Sequence, residues 1–163
     1  MTEQSKEAVA PALGLTTVDK LRMLLDITSK ISRSLDLQEV LNLVMDTLDS
    51  LIPYDAAGIF VVDCDEGGSK SEKPCVFKSQ EVRGYDIKEL LELHLKLGEG
   101  IIGHVALTSK PFISPDVRKE PLYVNAREET RSEMVAPVIS NDEVIGVFDL
   151  ESDELNAYSE NDL

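Results

Sequence analysis

Apolar positions along the chain change period several times, and each change marks an element. Leu21, Leu24, Thr28, Ile31 and Leu35 recur at alternating steps of three and four, which predicts a helix from about Val18 to Ser34 with a heptad-like seam. Met23 and Ile27 sit off that seam, so packing of this helix on the domain's own sheet stands as an equal alternative to dimerisation through the seam. Asp36 and Glu39 have the spacing of a capping box, an Asp N-cap with Glu three residues on. Leu37, Val40, Leu41, Val44, Leu48 and Leu51 then line one face of a second helix, which Pro53 stops.

From there the pattern becomes strand-like. Ala56 to Asp63 is a short run rich in β-branched residues, as expected of a strand buried on both faces. The Gly-, Ser- and charge-rich stretch 65–74 reads as a hairpin loop, and Cys75 to Val82 as the returning strand. A short helix is predicted over 86–92. Leu93, Leu95 and Leu97 then alternate with His94 and Lys96 in the period of a half-exposed strand. Gly98, Gly100 and Gly103 punctuate a turn that runs into a short helix over 101–108, and Pro111 to Ser114 reads as an edge strand.

Residues 115–131 are long and polar, as binding lids tend to be. Two strands over 133–140 and 144–151 follow, joined by a hairpin signal at Asn141, and Gly146 in the second permits close approach of another backbone or a ligand. Ser159 reads as the cap of a final helix that is cut off, so the natural chain is expected to continue into an output domain beyond Leu163. Residues 1–16 read as a disordered lead-in and 17–163 as one domain. Helices at the ends with antiparallel hairpins between them give an α+β class.

Composition narrows the function classes. Hydrophobic residues are 42% of the chain, aromatics 5%, and Trp is absent, so the core is expected to be aliphatic. A net charge of -15 repels phosphate backbones and anionic lipid, so neither nucleic acid nor a membrane surface is an expected partner. No stretch approaches the roughly 20 apolar residues of a bilayer span, and the N-terminus has no leader pattern, which makes cytoplasmic the default localisation. Cys64 and Cys75 form no C-x-x-C motif, and the two His residues complete no metal-ligand spacing, so no metal or other cofactor is expected. The two cysteines flank the predicted hairpin loop. A redox switch is one reading of them; two partly buried free thiols in a reducing compartment is the preferred one.

Several phrases, taken together, resemble the GAF family: PYDAAGIFVVD (53–63), LKLGEGIIGHVA (95–106), PFISPDV (111–117), RSEMVAPV (131–138), EVIGVFDLES (143–152) and AYSENDL (157–163). The resemblance covers about residues 20 to 163. It implies a central antiparallel sheet of about six strands with terminal helices on one face. On the other face it implies a small-molecule cavity beneath the 101–108 helix and the 115–131 lid.

One branch of the family, the free methionine-(R)-sulfoxide reductases, needs a nucleophilic and a resolving thiol in the glycine turn and the lid. Those positions hold Ile102 and Ala126, although the acidic residue that would hold substrate is present as Glu133. The expectation is therefore a module with no chemistry of its own. A cyclic-nucleotide signature is matched at Asp162 and loosely at Tyr158, but not at Ser152, Asp153 or Leu163. The lid also lacks the cysteine that phytochrome-type members use for a bilin.

The candidate ligand-binding residues are Phe60, Val62, Ile101, His104, Val105, Tyr123, Arg127, Glu133, Met134 and Phe148. Arg127 and Arg131 have the fork to hold an anionic group, but the preferred reading is that they neutralise Glu128 and Glu129 at the surface, and the apolar members are cavity wall or filled core. The function expected is regulatory: a small-molecule-sensing input domain of a bacterial signalling protein, homodimeric through its terminal helices at Leu21, Leu24, Thr28, Ile31 and Leu35. The phrases most resemble GAF domains fused to sigma-factor-regulating serine phosphatases, with histidine kinases and cyclic-di-GMP enzymes as other carriers. A ligand-free dimerisation module is the alternative, and a sulfoxide reductase a third reading.

Overall fold

Thr16 opens the first element. Its hydroxyl donates to the Asp19 carboxylate at 2.6 Å, and the Asp19 N–H donates back to the Thr16 hydroxyl at 3.2 Å. This reciprocal cap satisfies donors that a helix start leaves orphaned. It places the start of α1 (Thr17–Ile31) just ahead of the first apolar seam residue. The computed structural model describes residues 16–31, 37–64, 75–93 and 95–163. The capping-box reading at Asp36 lies outside them.

α2 (Leu37–Leu51) packs against α1 and holds the fully buried Met45. On α1, Leu21 and Leu24 are 58% and 52% exposed, whereas Met23 and Ile27 are half-buried. Leu35 and the side chains of Thr28 and Ile31 lie outside the described residues. These two helices form one unit of the chain, ending at Pro53, and residues 54–163 form a second.

The second unit is built on a five-stranded antiparallel sheet. Its strands are β1 (Ala56–Asp63), β2 (Val76–Arg83), β3 (Phe112–Ser114), β4 (Ser132–Ser140) and β5 (Glu143–Ser152), in the order β2-β1-β5-β4-β3. The α+β class with an antiparallel sheet is as expected, and β3 is an edge strand, as the pattern predicts. Asn141 and Asp142 both adopt positive φ, at 51° and 64°, the geometry of a mirror-image two-residue turn whose twist matches that of the strands it joins.

The alternating segment 93–97 does not become a sixth full strand. It forms one bridge, Lys96 to Val76, flanked by a Phe77 N–H to Leu95 carbonyl bond of 3.3 Å and a Leu97 N–H to Cys75 carbonyl bond of 3.0 Å. The cause is competition at both ends. Leu93 caps α3 (Ile87–Glu92), whose own start is capped by Asp86, and Lys96 already accepts from the Glu99 N–H in the next turn. Too few residues remain free to extend the ladder.

That next turn leads into α4 (Gly100–Thr108), which packs on β4 and β5. Gly100 enters the helix with φ of 70°, a left-handed conformation that costs a residue with Cβ. Gly103 is needed for space: a Cβ there would sit 2.6 Å from the Lys96 carbonyl oxygen and 2.8 Å from the Gly98 nitrogen. The same crowding holds at Gly146, where a Cβ would lie 2.5 Å from the Phe60 carbonyl oxygen. Beneath α4 the core is aliphatic apart from Phe60: Ile101, Ile102, Val105, Ala106, Val135 and Val147. Each fully buried aliphatic side chain contributes roughly 1.5–3 kcal/mol.

One further expectation is revised. Cys64 and Cys75 are not free thiols but a disulfide, with Cα atoms 4.5 Å apart. Asp63 and Val76 pair in the β1–β2 register, so the next residues outward face each other across the hairpin. At the other end of the unit, Ser159 donates from both its N–H and its hydroxyl to the Asp162 carboxylate at 2.7 Å. Residues 160–161 form a turn, so Ser159 and Asp162 make the capped single turn that the sequence leads one to expect there.

Replacing Gly103 by Ala sets a helix-propensity gain of up to about 1 kcal/mol against a clash with two backbone atoms that cannot swing away. The clash is expected to win, giving a net loss of about 2 kcal/mol or more by urea denaturation. A variant as stable as the parent would show that this approach is not close.

Candidate ligand-binding site

Strand parity decides what faces α4. In β4 and β5, Glu133 pairs with Glu151 and Val135 with Asp149, so these side chains share one face with Val147 and Phe60. Met134, Leu150 and Phe148 alternate with them and occupy the opposite face. Between sheet, α4 and lid is a cavity of about 450 Å³, a size suited to a small molecule. Val76 to Gln80 of β2, Leu90, Leu93 and Leu95 form one wall; Gly100 to Ile102, Val124 and Ala126 form another.

Three carboxyls, of Glu133, Asp149 and Glu151, line the same cavity and are only 3%, 2% and 2% exposed. The Tyr85 hydroxyl donates to Asp149 Oδ2 at 2.6 Å, and the Thr130 hydroxyl donates to Glu151 Oε2. With both carboxyls ionised, Glu133 Oε2 and Asp149 Oδ1 are buried without a donor, and a proton on Glu133 lets it bond to Asp149. Burial, and then the charges of Asp149 and Glu151, push the Glu133 carboxyl well above its ordinary range. Burial and Glu151 do the same to Asp149 against the opposing bonds from Tyr85 and Glu133, and burial raises Glu151. Tyr85 is held far above the ordinary phenol range by burial and the neighbouring carboxylates. Among the described residues lining the cavity, the one basic side chain is Lys78, which is 63% exposed and paired with Asp63 at 2.6 Å. The trio is therefore a site of uncompensated acid, and proton uptake relieves it.

Of the sequence-predicted ligand residues, Phe60, Ile101 and Glu133 line the cavity. Val62, Val105 and Tyr123 pack in or against the core beside it. His104 rests edge-on against the Phe112 ring, with centroids 5.9 Å apart. Met134 and Phe148 point to the other sheet face, an error of one residue in a period-two pattern. Arg127 does not reach the cavity: it forms a two-pronged pair with Asp153, with Nη2 to Oδ2 at 3.2 Å, and lies 3.9 Å from Glu129. Arg131 donates to the Glu128 and Thr130 carbonyls. Tyr85, Thr130, Asp149 and Glu151 were missed. The legible signal was the acid-x-acid spacing of Asp149 and Glu151 within a strand otherwise apolar enough to be buried.

A family model described as GAF domain matches residues 34–163. The chain belongs to the GAF domain family. Within it, the chain is 35% identical over 68 residues to the GAF domain-containing protein A of Dictyostelium discoideum, covering 42% of this chain and 43% of that protein. It is 41% identical over 58 residues to the free methionine-R-sulfoxide reductase of Saccharomyces cerevisiae, covering 35% of this chain and 32% of that enzyme. The matches thus span less than half the length of either curated relative. The X-ray structure of free methionine-R-sulfoxide reductase from Neisseria meningitidis in complex with its substrate superposes with a TM-score of 0.74 at 19% identity, over 96% of this chain and 87% of that one, which shows a shared fold.

These relatives overturn the expectation of a module without chemistry. Enzymes are built on this GAF fold, and one of them matches this chain at 41% identity over 58 residues. The two positions at which the family resemblance places thiols, Ile102 and Ala126, both line the cavity beside the acid trio.

A raised carboxyl pKa has a definite consequence for stability. The folded GAF domain binds a proton that the unfolded chain releases near the usual carboxylate range of about 4, so this contribution is fully present at low pH and is lost as pH rises. Stability of the ligand-free protein should therefore fall as pH rises above about 5, by up to about 1.4 kcal/mol per pH unit for one proton. Glu133→Gln should flatten that slope in thermal unfolding across the same range. An unchanged slope would mean that Glu133 does not hold the proton.

Proposed function

We propose that this GAF domain is a small-molecule-binding regulatory domain whose ligand presents an uncharged or cationic polar head to Glu133, Asp149 and Glu151, with free methionine sulfoxide as the leading candidate. The observation that carries this reading is the acid trio itself: three carboxyls, each at most 3% exposed, line a cavity of about 450 Å³ whose one basic side chain among the described residues, Lys78, is paired with Asp63. Buried polar groups of this kind ordinarily have partners, and a bound molecule would supply them. A protonated carboxyl can donate to a neutral oxygen such as that of a sulfoxide, and an ionised one can accept from an ammonium group. An anionic head would meet repulsion at this wall, which argues against a cyclic nucleotide phosphate seated there. The Saccharomyces and Neisseria relatives are free methionine-R-sulfoxide reductases, which points to the sulfoxide. The apolar wall of Leu90, Leu93, Leu95 and Ile101 suits an unbranched thioether-like chain.

Calorimetric titration with free L-methionine-(R)-sulfoxide tests the reading. Binding is expected, and Glu133→Gln or Asp149→Asn should weaken it about tenfold or more, the scale of a hydrogen bond to a charged group. Absence of binding by this epimer, its (S) counterpart and methionine would overturn the ligand assignment. Incubation with a dithiol then separates two uses of the pocket: release of methionine marks a reductase, and binding without release marks a sensor.

A further inference from the structure

The Cys64–Cys75 disulfide sits where the β1–β2 hairpin meets the cavity wall. β2 is an edge strand of the sheet, and its first residues, Val76 to Gln80, line the cavity. The segment that lies along the outer side of β2 carries Leu95, which also lines the cavity. It is attached through the Phe77 N–H to Leu95 bond, the Leu97 N–H to Cys75 bond and the Lys96–Val76 bridge. The carbonyl that receives Leu97 therefore belongs to a disulfide cysteine.

We infer that the Cys64–Cys75 pair is a redox control on this ligand cavity, tightening its β2 wall when oxidised and loosening it when reduced. The inference names a regulation of the site proposed above and rests on that reading for its ligand arm. Cys64 is exposed and Cys75 half-buried, so an external dithiol has access to the Cys64 sulfur. Its thiolate attacks that sulfur, the Cys75 thiolate leaves and takes a proton from water, and the second thiolate of the dithiol resolves the mixed disulfide. The products are the Cys64 and Cys75 thiols and one oxidised dithiol; two electrons and two protons have passed to the protein.

Once open, residues 11 apart in sequence are no longer tied, and the start of β2 loses its covalent anchor to the end of β1. The frayed end includes Val76 and Phe77, to which the 95–97 segment is fastened. Reciprocity requires that a ligand which favours the tight wall also protect the disulfide from reduction.

Hydrogen exchange of the full chain, with and without dithiothreitol and without any ligand, reads the wall directly. Reduction should speed exchange of the Phe77 and Leu97 amides about tenfold or more while leaving Met134 and Leu150 in the β4–β5 ladder unchanged. The double variant Cys64→Ser, Cys75→Ser should match the reduced protein and ignore dithiothreitol. Equal exchange in both states, or acceleration spread evenly over the whole sheet, would overturn the inference. Titration with L-methionine-(R)-sulfoxide in each state should show weaker binding after reduction, and equal affinity would again overturn it. Accelerated exchange at Phe77 and Leu97 with no sulfoxide binding in either state would remove that ligand and leave the redox control standing.

Discussion

Carrying three carboxyls into the face of an apolar sheet is the constraint around which this unit is organised. Each of Glu133, Asp149 and Glu151 is almost fully buried, and a buried charge without a counter-charge is costly. The chain meets that cost in three ways. Tyr85 and Thr130 each donate one hydroxyl to the trio, burial holds the Glu133 and Asp149 carboxyls above the usual carboxylate range so that one can bond to the other, and a cavity is left beside them. An apolar trio of the same volume would pack more simply.

The rest of the site follows from how that face is covered. α4 must come close to the 96–98 turn and to β4 and β5, and Gly103 supplies the room. Arg127, which has the fork geometry to hold an anion, is used instead to fasten the lid to Asp153 at the end of β5. Its charge is thereby spent outside the cavity, and the acid trio keeps its character. The Cys64–Cys75 bond closes the opposite end of the hairpin whose β2 strand forms a cavity wall, so the site has an acidic end set by β4 and β5 and an apolar wall tied to a cross-link.

Much of the fold was legible along the chain. The period-3.6 face located α2, and apolar runs bounded by turn residues located the five strands to within a residue or so, β1 as a continuous run because both of its faces are buried. The 93–97 segment failed for a reason local pattern does not contain: its ends were claimed by the cap of α3 and the turn before α4. Of the site, Phe60, Ile101 and Glu133 were named and Asp149, Glu151, Tyr85 and Thr130 were not. Met134 and Phe148 were placed in the cavity because they are apolar, yet the sheet turns them the other way.

From its sequence alone this protein was determined to be an α+β domain with an antiparallel sheet, an aliphatic core, a glycine-punctuated turn and a GAF-like order of elements, since these depend on local periodicity and backbone sterics. Tertiary structure alone decided that Glu133, Asp149, Glu151, Tyr85 and Thr130 converge, that Arg127 is engaged elsewhere, and that Cys64 meets Cys75. Those are contacts between residues up to 64 apart in sequence. They depend on strand order and on which face each strand turns inward, and a shift of one residue in register would have sent the acids to the opposite side.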